Sequence, residues 1–256
     1  MSDTLYSPRR RLCLAKERIE DLKREIAAFW RGNPYVQVIE DDPQRKGYRL
    51  YKIKLVKELP ASIADIACAI AGHLRSALDQ AGYAVALAAA PPGTKPKRTA
   101  FPFAGSEGHM NNSLGRCQDL PQEIRALFCT FKPYKGGDDL LWALNTMRNT
   151  NEHMVLVPVS TVVQRPSTKI RGTGFFQMTL PEYTVWDRCK QEVTFLTLGP
   201  GATFHYDFDF EFFIAFDEIE VVGGQPVLST LDTLAGKVER ILMATEAEAR
   251  RIGLIK

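Results

Sequence analysis

The sequence predicts an α+β fold, in which helices and strands occupy separate stretches of the chain. Apolar residues recur at helical spacing over residues 60–153, whereas strand-like runs dominate residues 154–222. Amphipathic helices are predicted towards both ends, over residues 7–31 and 228–252. Because a parallel sheet would need helices and strands to alternate, this segregation favours a mainly antiparallel sheet. The 256 residues, 45% of them hydrophobic, can bury one core, and we predict a single domain over residues 1–256.

The first 60 residues predict a helix and then a β-hairpin. Residues 7–30 carry one apolar stripe among many charges, and Gly32-Asn33-Pro34 ends the helix. Two strand-like runs follow, at residues 35–39 and 48–56, on either side of the turn sequence DDPQRKG. Their spacing predicts an antiparallel pair with a long turn.

The longest predicted helix covers residues 61–90 and forms the centre of the helical core. Pro60 favours its start and Pro91-Pro92-Gly93 ends it. Its faces are apolar almost all round, which is typical of a buried helix, and Gly72 and Gly82 predict close helix packing. Four ionisable residues interrupt it and exclude a membrane span: Asp65, His73, Arg75 and Asp79.

Two further helices precede the change to strands. Residues 121–131 predict a short helix with proline in its first turn. The second helix is capped by Asp138 and runs towards His153, and we expect it to pack on the helix over residues 61–90. It ends in the polar sequence Arg148-Asn149-Thr150-Asn151-Glu152-His153, directly before the first strand-like run.

The second half of the chain is predicted to form mainly strands. The predicted strands cover residues 154–163, 173–180, 183–186, 193–198 and 203–217. The last of them alternates aromatic or aliphatic residues with His and acidic residues, which predicts one buried face. A final helix is predicted to be capped by Ser229, with Asp232 three residues later.

Composition excludes several classes of protein. The five cysteines are widely spaced and contain no C-x-x-C, which argues against a disulfide framework or a zinc ribbon and fits a reducing cytoplasm. The first residues lack the apolar run of a signal peptide, so we expect a cytoplasmic protein without a membrane partner. A net charge of +3 is too small to indicate nucleic-acid binding by itself. Nucleotide-binding glycine motifs, G-x-S-x-G and H-E-x-x-H are absent from the sequence.

The pattern Arg148-Asn149-x-x-x-His153 resembles the signature of the HEPN superfamily, helical nucleases and nucleotide-binding modules of toxin and defence systems. The resemblance implies metal-independent RNA cleavage with His153 as base, Arg148 as phosphate clamp and Asn149 as an orienting group. The chemistry suits these residues, because histidine exchanges protons near neutral pH and arginine forks onto phosphate oxygens. It also implies RNA or a nucleotide as partner, a homodimer, and no cofactor. HEPN cores are all-helical, however, whereas this chain predicts a sheet.

A broader resemblance, over residues 72–153, is to an uncharacterised bacterial family. Four blocks carry it: HLRSALDQ, TAFPF, LPQEIRAL and LLWALNTMRNTNEH. Other members have asparagine at the position of Arg148, whereas the histidine of His153 recurs. The resemblance implies no function, and it makes His153 and the Arg75/Asp79 pair the residues most worth testing.

His73, Arg75 and Asp79 form a second candidate group. Charges on an apolar helix are costly unless they are paired, and Arg75 and Asp79 are correctly spaced to pair along one face. In a functional interpretation these residues line one polar cleft together with Arg148 and His153. In the alternative, the polar residues are structural and the protein is a non-catalytic α+β binding or scaffold protein. The sequence leaves open whether the protein is an enzyme.

The predicted strand over residues 203–217 carries a candidate metal site. His205, Asp207 and Asp209 alternate on one face, with Glu211 beyond them, and could hold a divalent ion. Acidic strand faces are usually solvated, and we therefore predict no metal.

Overall fold

The structure is a computed structural model that describes residues 3–149, 156–163, 171–178, 187, 190–205, 209–217 and 220–255. The α+β class is confirmed. Two compact units divide the chain. Unit 1 comprises Met1–Glu25, Ala61–Leu156 and Phe216–Lys256, and unit 2 comprises Ile26–Pro60 and Val157–Ala215. The single domain over residues 1–256 stays a prediction.

Unit 1 is helical; its helices lie close to the predicted ranges, except α3, which was not predicted. Their bounds are α1 Tyr6–Arg31, which enters unit 2 at Ile26, α2 Ala61–Ala89, α3 Met110–Leu114, α4 Gln122–Thr130, α5 Asp139–Asn149 and α6 Val227–Arg251. Short 3-10 turns at Glu107–His109 and Gly115–Cys117 flank α3 and make residues 107–117 one helical run. Among the described residues, none of the helices combines the length and the apolar character that crossing a membrane would require.

Helix α2 is the central element of unit 1, as predicted. It packs against both α5 and α6, and its apolar side chains, among them Ile70, Leu74 and Leu78, are completely buried. Each such aliphatic side chain contributes roughly 1.5–3 kcal/mol through its removal from water. The predicted packing of the α5 helix on α2 is thereby confirmed.

Helix α1 runs antiparallel to α6 and is held in register by three ion pairs. Arg9, Lys16 and Lys23 recur every seven residues on α1, and they pair with Glu246, Glu239 and Asp232, which recur every seven residues on α6. The Lys16–Glu239 and Lys23–Asp232 distances are 2.8 and 3.4 Å. All three basic groups lie on α1 and all three acidic groups on α6. Because the pairs are exposed, each contributes only about 0.2–1 kcal/mol, but together they specify one register.

The two glycines of α2 differ in their surroundings. A Cβ atom on Gly82 would lie 2.2 Å from the carbonyl oxygen of Thr99, so only glycine lets this loop approach the helix. A Cβ atom on Gly72 would meet nothing within 4 Å. Close packing is therefore confirmed at Gly82, where the neighbour is a loop and not a helix, and the prediction is wrong at Gly72.

Unit 2 contains an antiparallel four-stranded sheet of order β1-β2-β6-β5. These strands are β1 Tyr35–Asp41, β2 Arg49–Leu55, β5 Phe176–Met178 and β6 Glu192–Leu198. The predicted hairpin is confirmed as β1 and β2, and its second strand joins the second half of the chain through β6. Two smaller pairs are β3 Leu156–Val163 with β8 Asp209–Phe216, and β4 Arg171–Thr173 with β7 Thr203–His205.

A partly buried cluster of ion pairs connects β1, β2 and β6. Lys52 and Lys54 on β2 pair with Glu40 on β1 and Glu192 on β6. Lys52 Nζ lies 2.7 Å from Glu192 and 2.9 Å from Glu40. Lys52 and Glu192 are only 9% and 7% exposed, so each needs the other's charge.

The region predicted as one strand over residues 203–217 contains two strands with different partners, β7 and β8, on either side of residues 206–208, which lie outside the described residues. Phe204 is buried between exposed neighbours, as predicted, but Ile214, Ala215 and Phe216 are buried in succession. The predicted strand 183–186 also lies outside the described residues.

The predicted cap of the last helix is wrong. Helix α6 begins two residues earlier than Ser229, after Pro226, and the Ser229 hydroxyl donates a hydrogen bond to the Pro226 carbonyl oxygen. Proline favours the start of a helix because its fixed φ is already helical and it has no N–H to satisfy.

Candidate functional site

Helix α5 carries the HEPN-like sequence at its C-terminal end. Its N-terminus is capped as predicted, because the backbone N–H of Leu141 donates to Asp138 Oδ1 at 2.9 Å. The Lys237 ammonium on α6 pairs with the other oxygen of Asp138 and fixes that end of the helix. Arg148 and Asn149 belong to the last turn of α5, and His153 lies outside the described residues. The catalytic roles of these three residues therefore stay predictions.

Arg75 and Asp79 form the predicted pair, and the pair has a structural function. Arg75 Nη1 lies 2.8 Å from Asp79 Oδ1, which also accepts the backbone N–H of Phe101 at 3.0 Å. The Arg75 guanidinium lies 4.1 Å from the centre of the Phe103 ring, and Arg75 is only 6% exposed. The pair thereby attaches residues 101–103 to α2.

His73 does not join this pair. Its Nδ1 lies 3.5 Å from Arg11 Nη1 on α1. Positions 73 and 75 are about 200° apart around a helix, so they face different neighbours. Burial, together with the positive charges of Arg11 and Arg18, lowers the pKa of His73 below its usual value and favours the neutral imidazole. Of the predicted supporting residues, the structure thus brings together two, Arg75 and Asp79.

We expect Asp79→Asn to lower the free energy of unfolding by about 2 kcal/mol, the usual loss for a hydrogen bond to a charged group. The amide cannot neutralise the buried Arg75 guanidinium. Thermal unfolding followed by circular dichroism measures the effect, as a fall in Tm of about 4–8 °C. Asp65→Asn, exposed on the same helix, is the control and should leave Tm almost unchanged. Equal Tm values for the two variants would contradict the structural role.

A polar pocket of about 500 Å³ lies between α5 and the helical run 107–117. Residues 103–105 also line the pocket, and this segment is called its floor. The residues that line it are Phe103, Ala104, Gly105, His109, Asn112, Ser113, Arg116, Trp142, Asn145 and Thr146. The sequence did not predict this pocket, because the glycines and asparagines of residues 104–120 favour a connection between helices.

Local hydrogen bonds hold one wall of the polar pocket. The buried Ser113 hydroxyl donates to the Phe103 carbonyl oxygen at 2.7 Å and fixes the helical run to the floor. The Ser106 hydroxyl lies 2.9 Å from His109 Nδ1, which leaves Nε2 as the ring nitrogen that a ligand could meet. The one sequence signal for this wall is the spacing of His109, Asn112 and Arg116, which places all three on one face of a helix.

Metal binding finds no support in the described part of the chain. There, no group of three or more His, Cys, Asp or Glu side chains is arranged to hold a metal ion. His205 is exposed on β7, and Asp207 of the predicted group lies outside the described residues.

Comparisons of this chain with models of protein families, with curated proteins and with solved structures find no match.

Proposed function

We propose that this protein is a HEPN-like, metal-independent RNase or nucleotide-binding module whose site lies where α5 ends. The observation that carries the proposal is the polar face of α5. Trp142, Asn145 and Thr146 line the polar pocket, and the same helix reaches Arg148 and Asn149 within two turns. The opposite face of α5 packs on α2, and a pocket with several convergent polar groups beside a packed helix is a place where a ligand can bind. RNA, a homodimer, and a role in a toxin or defence system belong to the same proposal.

The proposed reaction needs no metal. His153 removes the proton of a ribose 2′-hydroxyl, and the 2′-oxygen attacks the adjacent phosphorus. The bond from phosphorus to the 5′-oxygen breaks, the 5′-oxygen takes up a proton, and a 2′,3′-cyclic phosphate remains. Arg148 would stabilise the charge on the phosphoryl oxygens, and Asn149 would orient the reacting groups.

We expect the purified protein to cleave single-stranded RNA in the presence of EDTA and to leave 2′,3′-cyclic phosphate ends. His153→Ala should lower the rate by roughly 10²–10⁴-fold, because a general base usually contributes that much. Gel electrophoresis of an end-labelled oligonucleotide measures the rate, and mass spectrometry identifies the ends.

The matched control is His205→Ala, which removes an exposed histidine on β7 and should leave cleavage unchanged. Cleavage by His153→Ala at the unaltered rate, or cleavage that EDTA abolishes, would rule out the proposed mechanism.

A second function, a non-catalytic α+β binding or scaffold protein, is favoured by the Arg75–Asp79 pair. Its contacts with Phe101 and Phe103 account for these two charges without any ligand. In this case Asp79→Asn lowers stability, and no RNA cleavage is detected for the unaltered protein.

A further inference from the structure

The two walls of the polar pocket depart from ordinary helix packing. On the helical run 107–117, His109, Asn112 and Arg116 project at i, i+3 and i+7. On α5, Trp142 and Asn145 project at i and i+3. Facing positions with this spacing are usually apolar and interdigitated, because that buries the most surface. Here four of the five are polar, and they line an open pocket of about 500 Å³, which is in the size range of small-molecule sites.

The charge of the lining is one-sided. None of the ten lining residues is aspartate or glutamate, and Arg116 supplies a permanent positive charge. Arg116 is exposed and has no ion pair with any side chain among the described residues. The carboxylate of Glu107, on the first turn of the run, accepts a hydrogen bond from the Tyr134 hydroxyl at 3.2 Å and does not line the pocket. The uncompensated charge favours an anion.

The pocket also offers a flat apolar surface and amide groups. Trp142 is partly buried, and the Lys135 ammonium lies 5.9 Å from the centre of its ring, so the indole is held by its neighbours while part of it remains accessible. Asn112 and Asn145 carry side-chain amides, which both donate and accept hydrogen bonds. Proteins hold nucleotides with groups of these kinds. An indole stacks on the base, amides pair with the edge of the base, and an arginine binds the phosphate.

We propose that the polar pocket binds a nucleoside monophosphate unit, with Arg116 and His109 on its phosphate and Trp142 against its base. The unit is either a free mononucleotide or the phosphorylated end of an RNA chain. Naming this ligand makes the proposed function more specific. Binding of an RNA end rests on the proposed function, whereas binding of a free mononucleotide does not require RNA cleavage. It does not depend on Arg148, Asn149 or His153.

Titration calorimetry of the full chain with AMP, adenosine and inorganic phosphate tests the proposal. We expect saturable binding of AMP, and binding at least tenfold weaker for adenosine and for phosphate alone. Arg116→Gln should weaken AMP binding at least tenfold, and Trp142→Leu should weaken AMP but not phosphate. Arg240→Gln, an exposed arginine on α6 outside this pocket, is the matched control and should bind AMP as the unaltered protein does.

A parallel titration uses an RNA pentamer with or without a terminal phosphate, and it separates the two forms of the ligand. Preference for the phosphorylated pentamer over AMP supports the chain end, and preference for AMP supports the free mononucleotide. Absence of saturable AMP and pentamer binding, or equal affinity in the Arg116→Gln and Arg240→Gln variants, would overturn the proposal. AMP binding without RNA cleavage supports the nucleotide pocket and contradicts the nuclease proposal. RNA cleavage without AMP or pentamer binding supports the nuclease proposal and contradicts the nucleotide pocket.

Discussion

Replacement of Gly82 by alanine should lower the free energy of unfolding by roughly 3 kcal/mol, near the upper end for overpacking of a core. The new Cβ atom would lie 2.2 Å from the Thr99 carbonyl oxygen, and this oxygen belongs to backbone, which cannot rotate away as a side chain can. Either α2 or residues 99–101 must then move. The shift would disturb the hydrogen bond from Phe101 N–H to Asp79, which the same segment provides. Urea unfolding followed by circular dichroism measures the change in midpoint.

Gly72→Ala is the matched control, because it makes the same substitution ten residues earlier on the same helix. A Cβ atom there meets nothing within 4 Å. Alanine is the better helix former by about 0.5–1 kcal/mol, so this variant should be more stable than the unaltered protein. The two glycines therefore predict changes of opposite sign. A Gly82→Ala variant with an unaltered midpoint would show that the Thr99 loop does not approach α2 as described.

Glu192→Gln should destabilise unit 2 by roughly 3 kcal/mol, at the lower end for breaking a buried ion pair. The substitution preserves the shape of the side chain and removes the charge that faces Lys52 at 2.7 Å. Lys52 would keep only Glu40, which is partly exposed. The midpoint of urea unfolding, followed by circular dichroism, reports the loss. The control is Glu239→Gln, which breaks the exposed pair with Lys16 and should cost less than about 1 kcal/mol.

Acid unfolding gives a second readout of the same cluster. Hydrogen bonds from Lys54 and Lys52 lower the pKa of Glu40 to about 2. Burial alone would raise the pKa of Glu192, but the hydrogen bonds from the same two lysines outweigh it and leave it below its usual value. Because both folded-state values lie below that of the unfolded chain, the stabilisation is complete above the ordinary glutamate pKa and is lost as the pH falls through the folded values. Glu192→Gln should reduce this loss. A pH dependence identical to that of the unaltered protein would show that Glu192 is not part of it.

The helices could be predicted because their signals are local. Pro60 and Pro91-Pro92-Gly93 mark the ends of α2, and its apolar faces predict burial whatever the partner is. The pairing of β2 with β6 could not be predicted, since it joins residues about 140 positions apart and hydrophobic alternation does not name a partner strand. The predicted cap at Ser229 is wrong because the helix already begins after Pro226, three residues earlier.

The candidate site was predictable only in part, for a similar reason. The Arg75–Asp79 pair depends on spacing within one helix, and the structure confirms it. The polar pocket depends on Arg116 and Trp142, which lie on separate segments and each look like ordinary surface residues in the sequence. The two residues line one pocket only in the folded protein, and the periodicity of the sequence does not predict such a pocket.

The ladder of ion pairs between α1 and α6 has a consequence for the order in which the chain folds. Arg9 and Glu246 are 237 residues apart, and Lys16 and Glu239 are 223 apart. At a synthesis rate of about 5–20 residues per second, α1 leaves the ribosome roughly 10–45 s before the helix that pairs with it. Nascent α1 therefore waits without its ion-pair partners on α6 while the strands of unit 2 are being made. When α6 is synthesised, a shift by one turn would separate its three acidic residues from the three basic residues of α1. Because each helix carries charges of one sign at these positions, the ion pairs favour a single alignment of the two helices.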